Sequence, residues 1–290
     1  MKKTSDLQAL PENSFSPFSP VTLDTHALLG RWINTHKSTR NITEVTLMRR
    51  DKALYLRVVS VAEPRDWGEI RVQNLFADAG QSHCAISFTA RYDFDFLQTE
   101  LQANVNSGLL IITSLNRFKG KRNKSDYFCR EYFYREPAVK AALLDPPVAC
   151  PRGEGETEQA LRAVPKLDHK LFFGEWHNTD AGSIGICRVV FVDRDGSLTL
   201  RVFARGKSEP VNLGETEVRV FADSADSIEG TKFAADFDLS FIRLSMHGWV
   251  KLGVLVISLF NQYTDKSGRR DFFNREFFYP VESIPKEFEV

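Results

Sequence analysis

The chain contains itself twice. Leu29-Gly30-Arg31-Trp32-Ile33-Asn34-Thr35 returns as Phe173-Gly174-Glu175-Trp176-His177-Asn178-Thr179. Asp126-Tyr127-Phe128-Cys129-Arg130-Glu131-Tyr132-Phe133-Tyr134 returns as Asp271-Phe272-Phe273-Asn274-Arg275-Glu276-Phe277-Phe278-Tyr279. The separation of the two pairs of segments is the same to within one residue, so the copies are close to colinear. A chain of 290 residues admits one or two domains; the duplication decides for two, each long enough to bury its own core. The boundaries follow from composition: an extended Pro/Ser-rich arm over 1–27, copy one over 28–135, a Pro-rich connector over 136–170 with short helical stretches at 139–144 and 156–163, copy two over 171–280, and a polar tail over 281–290. What two diverged copies share is what the fold or a site requires.

Within each copy the pattern is β. Leu54, Leu56 and Val58 alternate with Tyr55, Arg57 and Val59, and Leu198, Leu200 and Val202 repeat it. Phe88, Ala90, Tyr92, Phe94 and Phe96 alternate with polar neighbours, as do Phe233, Ala235, Phe237, Leu239 and Phe241. Period two over that length predicts strands with one buried face. Turn residues separate the runs, as at Asn106-Ser107-Gly108 and Asp195-Gly196. Antiparallel strands at this spacing suit a sandwich or an up-and-down barrel of about eight strands. The 23 phenylalanines need an interior, an interface or a ligand to cover them.

Gly-x-Trp on the opening strand, with Arg130 or Arg275 on the closing strand, resembles the calycin superfamily of lipocalins and avidins. The resemblance implies an all-β protein of two tandem calycin-like barrels. It also implies that Trp32 with Arg130, and Trp176 with Arg275, close one barrel end by an indole–guanidinium stack. Gly30-Arg31-Trp32-Ile33-Asn34 followed by Ser38 is similar to the avidin first strand, where the matching Asn and Ser hold a polar ligand head. Copy two offers Asn178 and a displaced Ser183. Biotin itself is not implied, because each copy has only one further tryptophan, Trp67 or Trp249, at unmatched positions.

Asn34 and Asn178, two residues after the tryptophans, share their inward face. A buried amide left unpaired costs about 1–3 kcal/mol, so each bonds to wall backbone, to water or to a ligand. Asn116 and Asn261 end a repeated apolar strand, as pocket-mouth groups or turn caps. Tyr92 and Phe237 line the interior or fill it. Glu131 and Glu276 are expected on the outer face, paired with Arg57 and Arg201. A basic turn precedes each last strand: Lys119, Lys121, Arg122 and Lys124, then Lys266, Arg269 and Arg270. It is a solvated hairpin or a lip that attracts an anionic ligand.

With 38 basic and 38 acidic side chains the net charge is zero, which argues against nucleic acid or an anionic membrane as partner. No apolar run approaches the ~18 residues of a membrane span, and the N-terminal segment does not read as a secretion signal. Cys84, Cys129, Cys150 and Cys187 do not recur between copies, which predicts free thiols and a cytoplasmic setting. No metal-ligand spacing, phosphate loop or nucleophile elbow is present in the sequence, so no cofactor and no metal are expected. The functional expectation is intracellular binding of a small apolar or amphipathic molecule, with an anionic group as one option. It would bind at Asn34, Ser38, Tyr92, Asn116, Asn178, Ser183, Phe237 and Asn261. The alternatives are a cofactor-free cyclase or isomerase of specialised metabolism and a protein-interaction scaffold of solid barrels, with homo-oligomerisation an option.

Overall fold

The computed structural model describes residues 22–79, 83–120, 124–137 and 166–281. The two expected connector helices, Cys150 and the basic-turn residues Lys121 and Arg122 lie outside them. The described residues divide into two compact units, 22–137 with Ser224–Asp226, and 166–223 with 227–281. The N-terminal unit holds β1 (Gly30–Asn34), β2 (Ile42–Arg50), β3 (Ala53–Ser60), β4 (Asp66–Arg71), β5 (Asn74–Asp78), β6 (Ala85–Asp93), β7 (Leu97–Asn106), β8 (Leu109–Phe118) and β9 (Tyr127–Arg135). The C-terminal unit repeats the series as β10 (Gly174–Asn178), β11 (Ile186–Arg194), β12 (Ser197–Ala204), β13 (Val211–Glu217), β14 (Arg219–Ala222), β15 (Gly230–Asp238), β16 (Ile242–Lys251), β17 (Val254–Tyr263) and β18 (Phe272–Pro280). Among the described residues, no helix is long and apolar enough to cross a membrane.

The expected pair of eight-stranded up-and-down barrels is corrected. Each unit has nine strands, and in the N-terminal unit the ladders run β4-β3-β2-β1-β9-β8-β7-β6-β5. β4 pairs with β3 and β5 with β6. Between them the Val72 N–H donates to Leu54 on one side and the Gln73 N–H to Thr89 on the other. The chain therefore steps across at a bend, and no β4–β5 ladder is formed among the described residues. Parallel bridges, Asp24 to Cys84 and Asp168 to Glu229, make the otherwise antiparallel sheets mixed. The ring of eight staves that the calycin, avidin and lipocalin resemblance implied is absent. The sequence periods gave the strands but not the break at Val72–Gln73, where both neighbours are polar-flanked and no turn residue marks the step.

One face of each sheet buries a core. In the N-terminal unit Trp32, Val45, Leu56, Phe88, Ala90, Leu101, Ile112 and Phe133 meet; in the other, Trp176, Val189, Leu200, Phe233, Ala235, Leu244, Ile257 and Phe278. The Gly-x-Trp repeat has a local cause. Gly30 and Gly174 sit at φ of 117° and 107°, a region that side chains with a Cβ rarely adopt. Each tryptophan then turns inward and its indole N–H donates to a backbone carbonyl, Leu28 or Phe172, at 2.9 Å.

The expected closing arginines are also corrected. Trp32 faces Arg135, not Arg130, across the β1–β9 ladder. The Arg135 guanidinium lies 4.6 Å from the Trp32 ring and donates to the Ala27 carbonyl. In the other unit Trp176 faces Pro280, so no such stack forms there. Arg130 and Arg275 lie half-buried on the strand face away from the core, beside Tyr132 at 5.5 Å and Phe273 at 5.6 Å. The ladders place Phe133, Glu131, Cys129 and Tyr127 on the core side of β9, level with Leu110, Ile112, Ser114 and Asn116. Glu131 and Glu276 are thus inside, and the arginines assigned to them bond elsewhere: Arg57 to Asp66 at 2.5 Å and Arg201 to Glu215 at 2.7 Å. The exposed aromatics of the closing strands are Tyr132, Tyr134, Phe277 and Tyr279, and Phe133 and Phe278 are fully buried.

The two floors should differ in their response to mutation. Trp176→Phe leaves the buried Phe172 carbonyl without its donor and should cost about 1–3 kcal/mol. Arg135→Ala removes a solvent-exposed stack and should cost only about 0.5–1 kcal/mol. Urea denaturation of each variant checks both values.

Candidate functional site

The inward carboxylate of the closing strand is clasped by the amide of the opening strand in both units. Asn34 donates to Glu131 at 2.9 Å and to the Ile42 carbonyl at 2.7 Å, and accepts from the His36 N–H at 2.8 Å. Asn178 donates to Glu276 and to the Ile186 carbonyl, both at 2.7 Å, and accepts from the Asp180 N–H at 2.8 Å. Both amide N–H groups are used inside the protein, so the repeated asparagines tie the loop after the first strand to the last strand. Glu131 also accepts from Thr39 at 2.6 Å, and Glu276 from Asn274 at 2.8 Å. Burial raises both carboxyls above their usual range, and the donated hydrogen bonds offset this only in part.

The loop so tied borders two spaces of the N-terminal unit. A groove of about 450 Å³ is lined by Asn34, Ser38, Thr39, Arg40, Glu131 and Tyr132 among others. A recess of about 110 Å³ lies at the end of the core away from Trp32. Its aromatic wall is Trp67, Phe94, Phe96 and Tyr127; its polar wall is Ser60, Ser114, Asn116 and Cys129. Arg40 and Asn41 border both spaces.

Each lining residue has a local cause. The β3–β4 ladder shifts register between Arg57 and Val59, leaving Trp67 as the extra residue of a bulge, a device that re-aims a side chain. Trp67 packs edge-on against Tyr92 at 5.1 Å and Phe94 at 5.4 Å, and its indole N–H donates to Ser60 at 3.0 Å. The Tyr92 hydroxyl lies 3.1 Å from both the Leu56 and Gly68 carbonyls, and burial pushes its pKa up. Asn116 accepts from Thr99 at 2.8 Å, while its N–H groups make only long contacts, 3.3 and 3.4 Å, to Ser114. The Tyr127 phenol is pushed up to about 12, chiefly by burial.

The expected site residues therefore separate. Asn116 lines the recess, with Tyr92 in contact with its Trp67 wall, and Asn34 and Ser38 line the groove. In the other unit Asn261 is bonded to Asn274 at 2.8 Å and to the Phe272 carbonyl, Phe237 is core, and Ser183 shapes a turn by accepting the Gly185 N–H. Arg269 there lies 5.4 Å from Phe241, the counterpart of Phe96. Of the basic turn in the N-terminal unit, Lys119 pairs with Asp93 and Lys124 lies over Phe118. Trp67, Ser114, Tyr127, Cys129 and Arg40 were not predicted. Their signal is the set of positions where the copies differ, which a search for shared residues passes over. Among the described residues, no group of three or more His, Cys, Asp or Glu could hold a metal ion, and Cys84, Cys129 and Cys187 are free thiols.

No family model and no curated protein matches the chain. A solved structure to which it is similar is a protein of unknown function of the DUF3598 family from Nostoc punctiforme PCC 73102. The likeness has 10% identity and a TM-score of 0.33, over 90% of this chain and 98% of that one, too loose to transfer a role. The expected function rested on the calycin fold. With that fold corrected, a mostly apolar ligand inside calycin-like barrels, a barrel-cavity cyclase or isomerase, and a scaffold of solid barrels all lose their ground.

Burial makes the Glu276 clasp sensitive to pH. Its carboxyl is raised from 4.5 to about 7. The folded state thus holds the proton more tightly than the unfolded state, and the associated stability is complete below about pH 4.5 and lost as pH rises through about 7. Asp271, raised to about 6 by burial, acts in the same direction. Denaturation at pH 5 and pH 8 should show stability falling by roughly 3 kcal/mol, and Glu276→Gln should flatten most of that difference. An unchanged slope in the variant would assign the titration elsewhere.

Proposed function

We propose that the N-terminal unit recognises one small amphipathic molecule, whose flat end enters the recess walled by Trp67, Phe94, Phe96 and Tyr127. One unit carries the site, and the other repeats the fold without it. The observation that carries the reading is a difference in polarity at five positions of the core end. The ladders align Trp67 with Leu213, Tyr92 with Phe237, Thr99 with Leu244, Ser114 with Leu259, and Tyr127 with Phe272. At all five, the N-terminal unit has a hydrogen-bonding side chain and the C-terminal unit an apolar one. Burying polar groups costs free energy that leucine and phenylalanine do not incur. The C-terminal unit demonstrates that the fold is satisfied without them. Trp67, Tyr92 and Thr99 spend their donors inside the unit, which leaves the weakly bonded Asn116 amide and the Tyr127 phenol as a donor edge beside an aromatic wall. A space of about 110 Å³ is smaller than the engineered cavity of roughly 150 Å³ that takes benzene, so it admits no more than a single ring, the remainder of the ligand lying toward the groove.

Ligand-observed NMR with benzamide and phenol tests the reading. Binding should be in the millimolar range expected of fragments of this size, roughly 7–9 heavy atoms. It should be lost in Ser114→Leu/Tyr127→Phe, which copies the other unit, and kept in Leu259→Ser. Equal binding to wild type and to the double variant would remove the site.

A further inference from the structure

We infer that the ligand carries an anionic group, held by Arg40 where the groove meets the recess. The inference rests on the recess as binding site and adds the charge of its ligand. Arg40 lines both spaces, so a molecule whose ring fills the recess presents its other end to that guanidinium. Neighbouring arginines are occupied: Arg31 by Glu44 and Glu136, Arg50 by Glu69, Arg57 by Asp66, and Arg65 by Glu63. Among the described residues no carboxylate pairs with Arg40. The nearby acids are already engaged. Glu63 pairs with Arg65 at 3.2 Å, and the Glu131 oxygens accept from Asn34, Thr39 and the Ile42 N–H.

The second copy sharpens the assignment. The loop from Asn34 to Ile42 has the same length as that from Asn178 to Ile186, and both are tied by the same amide bonds. Arg40 therefore corresponds to Ile184, which is exposed. The loop folds with isoleucine at that position, so the guanidinium is not a folding requirement. It occurs only in the copy whose recess is polar. A planar fork of donors at the mouth of an aromatic recess matches a carboxylate carried on a ring.

Benzoate and benzamide have nearly the same shape and differ in charge, so their binding to the full chain at low ionic strength isolates the Arg40 contribution. Benzoate should bind about tenfold more tightly, as a charge-assisted contact of this kind predicts. Arg40→Gln and Arg40→Ile should abolish that preference, read as the ratio of benzoate to benzamide affinity in each variant. Benzamide binding without any benzoate preference would overturn the anion assignment and leave the recess standing. Binding of neither would remove the recess and this inference together. Acetate binding as tightly as benzoate would show a free-anion site, and would overturn a ligand that spans both spaces.

Discussion

A carboxylate gripped by an asparagine amide joins the first and last strands of each unit, and the rest of the site is arranged around it. β1 and β10 are five residues long and each lies between two longer neighbours, so backbone pairing alone holds little of the strand. Asn34 with Glu131, and Asn178 with Glu276, add side-chain bonds across that seam and bond the start of the following strand as well. Removing a carboxyl from water is costly, and the cost is offset only if its oxygens are bonded. Each clasp meets that condition with different partners: Thr39 in one unit, Asn274 in the other. The consequence for function is positional. The clasp fixes the loop over residues 35–41, and that loop carries Arg40 and Asn41 to the border of groove and recess.

The duplication and the inward setting of Trp32 and Asn34 were legible because a two-residue period and a colinear repeat both survive without tertiary information. The closing strand was misread for an identifiable reason. Alternation alone places Phe133 and Phe278 inside and their arginine neighbours outside, as the structure has them. Expecting a guanidinium under Trp32 reversed that face, whereas the stack is made by Arg135, five positions on. The bend at Val72–Gln73 left no signal, since it replaces a turn by a change of hydrogen-bonding partner. Trp67 was visible only as an unmatched tryptophan. Its inward aim comes from a bulge whose register depends on the opposite strand.

Two copies of one fold in one chain separate folding from function in both directions. Shared polar residues prove to be folding devices: the asparagines and glutamates of the clasps are satisfied within the protein. The five polar-to-apolar differences fall at one end of one core. Had Tyr92, Thr99, Ser114 and Tyr127 been scattered, they would describe neutral drift around a tolerant interior. Ladder partners instead link them in a chain, Tyr92 to Thr99, Thr99 to Asn116, Asn116 to Tyr127, with Ser114 one inward step along β8. A contiguous polar strip against an aromatic wall is the composition of a recognition surface, where a few placed hydrogen bonds orient an apolar body.

The dimensions of the two spaces then constrain how any affinity is assembled. A ring buried in a recess of about 110 Å³ contributes about 2 kcal/mol by comparison with a phenylalanine side chain. A single charge-assisted hydrogen bond contributes about 1.5–3 kcal/mol. Association itself costs at least about 4 kcal/mol in lost translation and rotation, so neither space alone holds a ligand firmly. Because Arg40 borders both, the two contributions are available to one molecule without a second association cost, and the gain is larger than either part. The C-terminal unit has leucine and phenylalanine lining its core end and isoleucine at the Arg40 position, and so offers neither term.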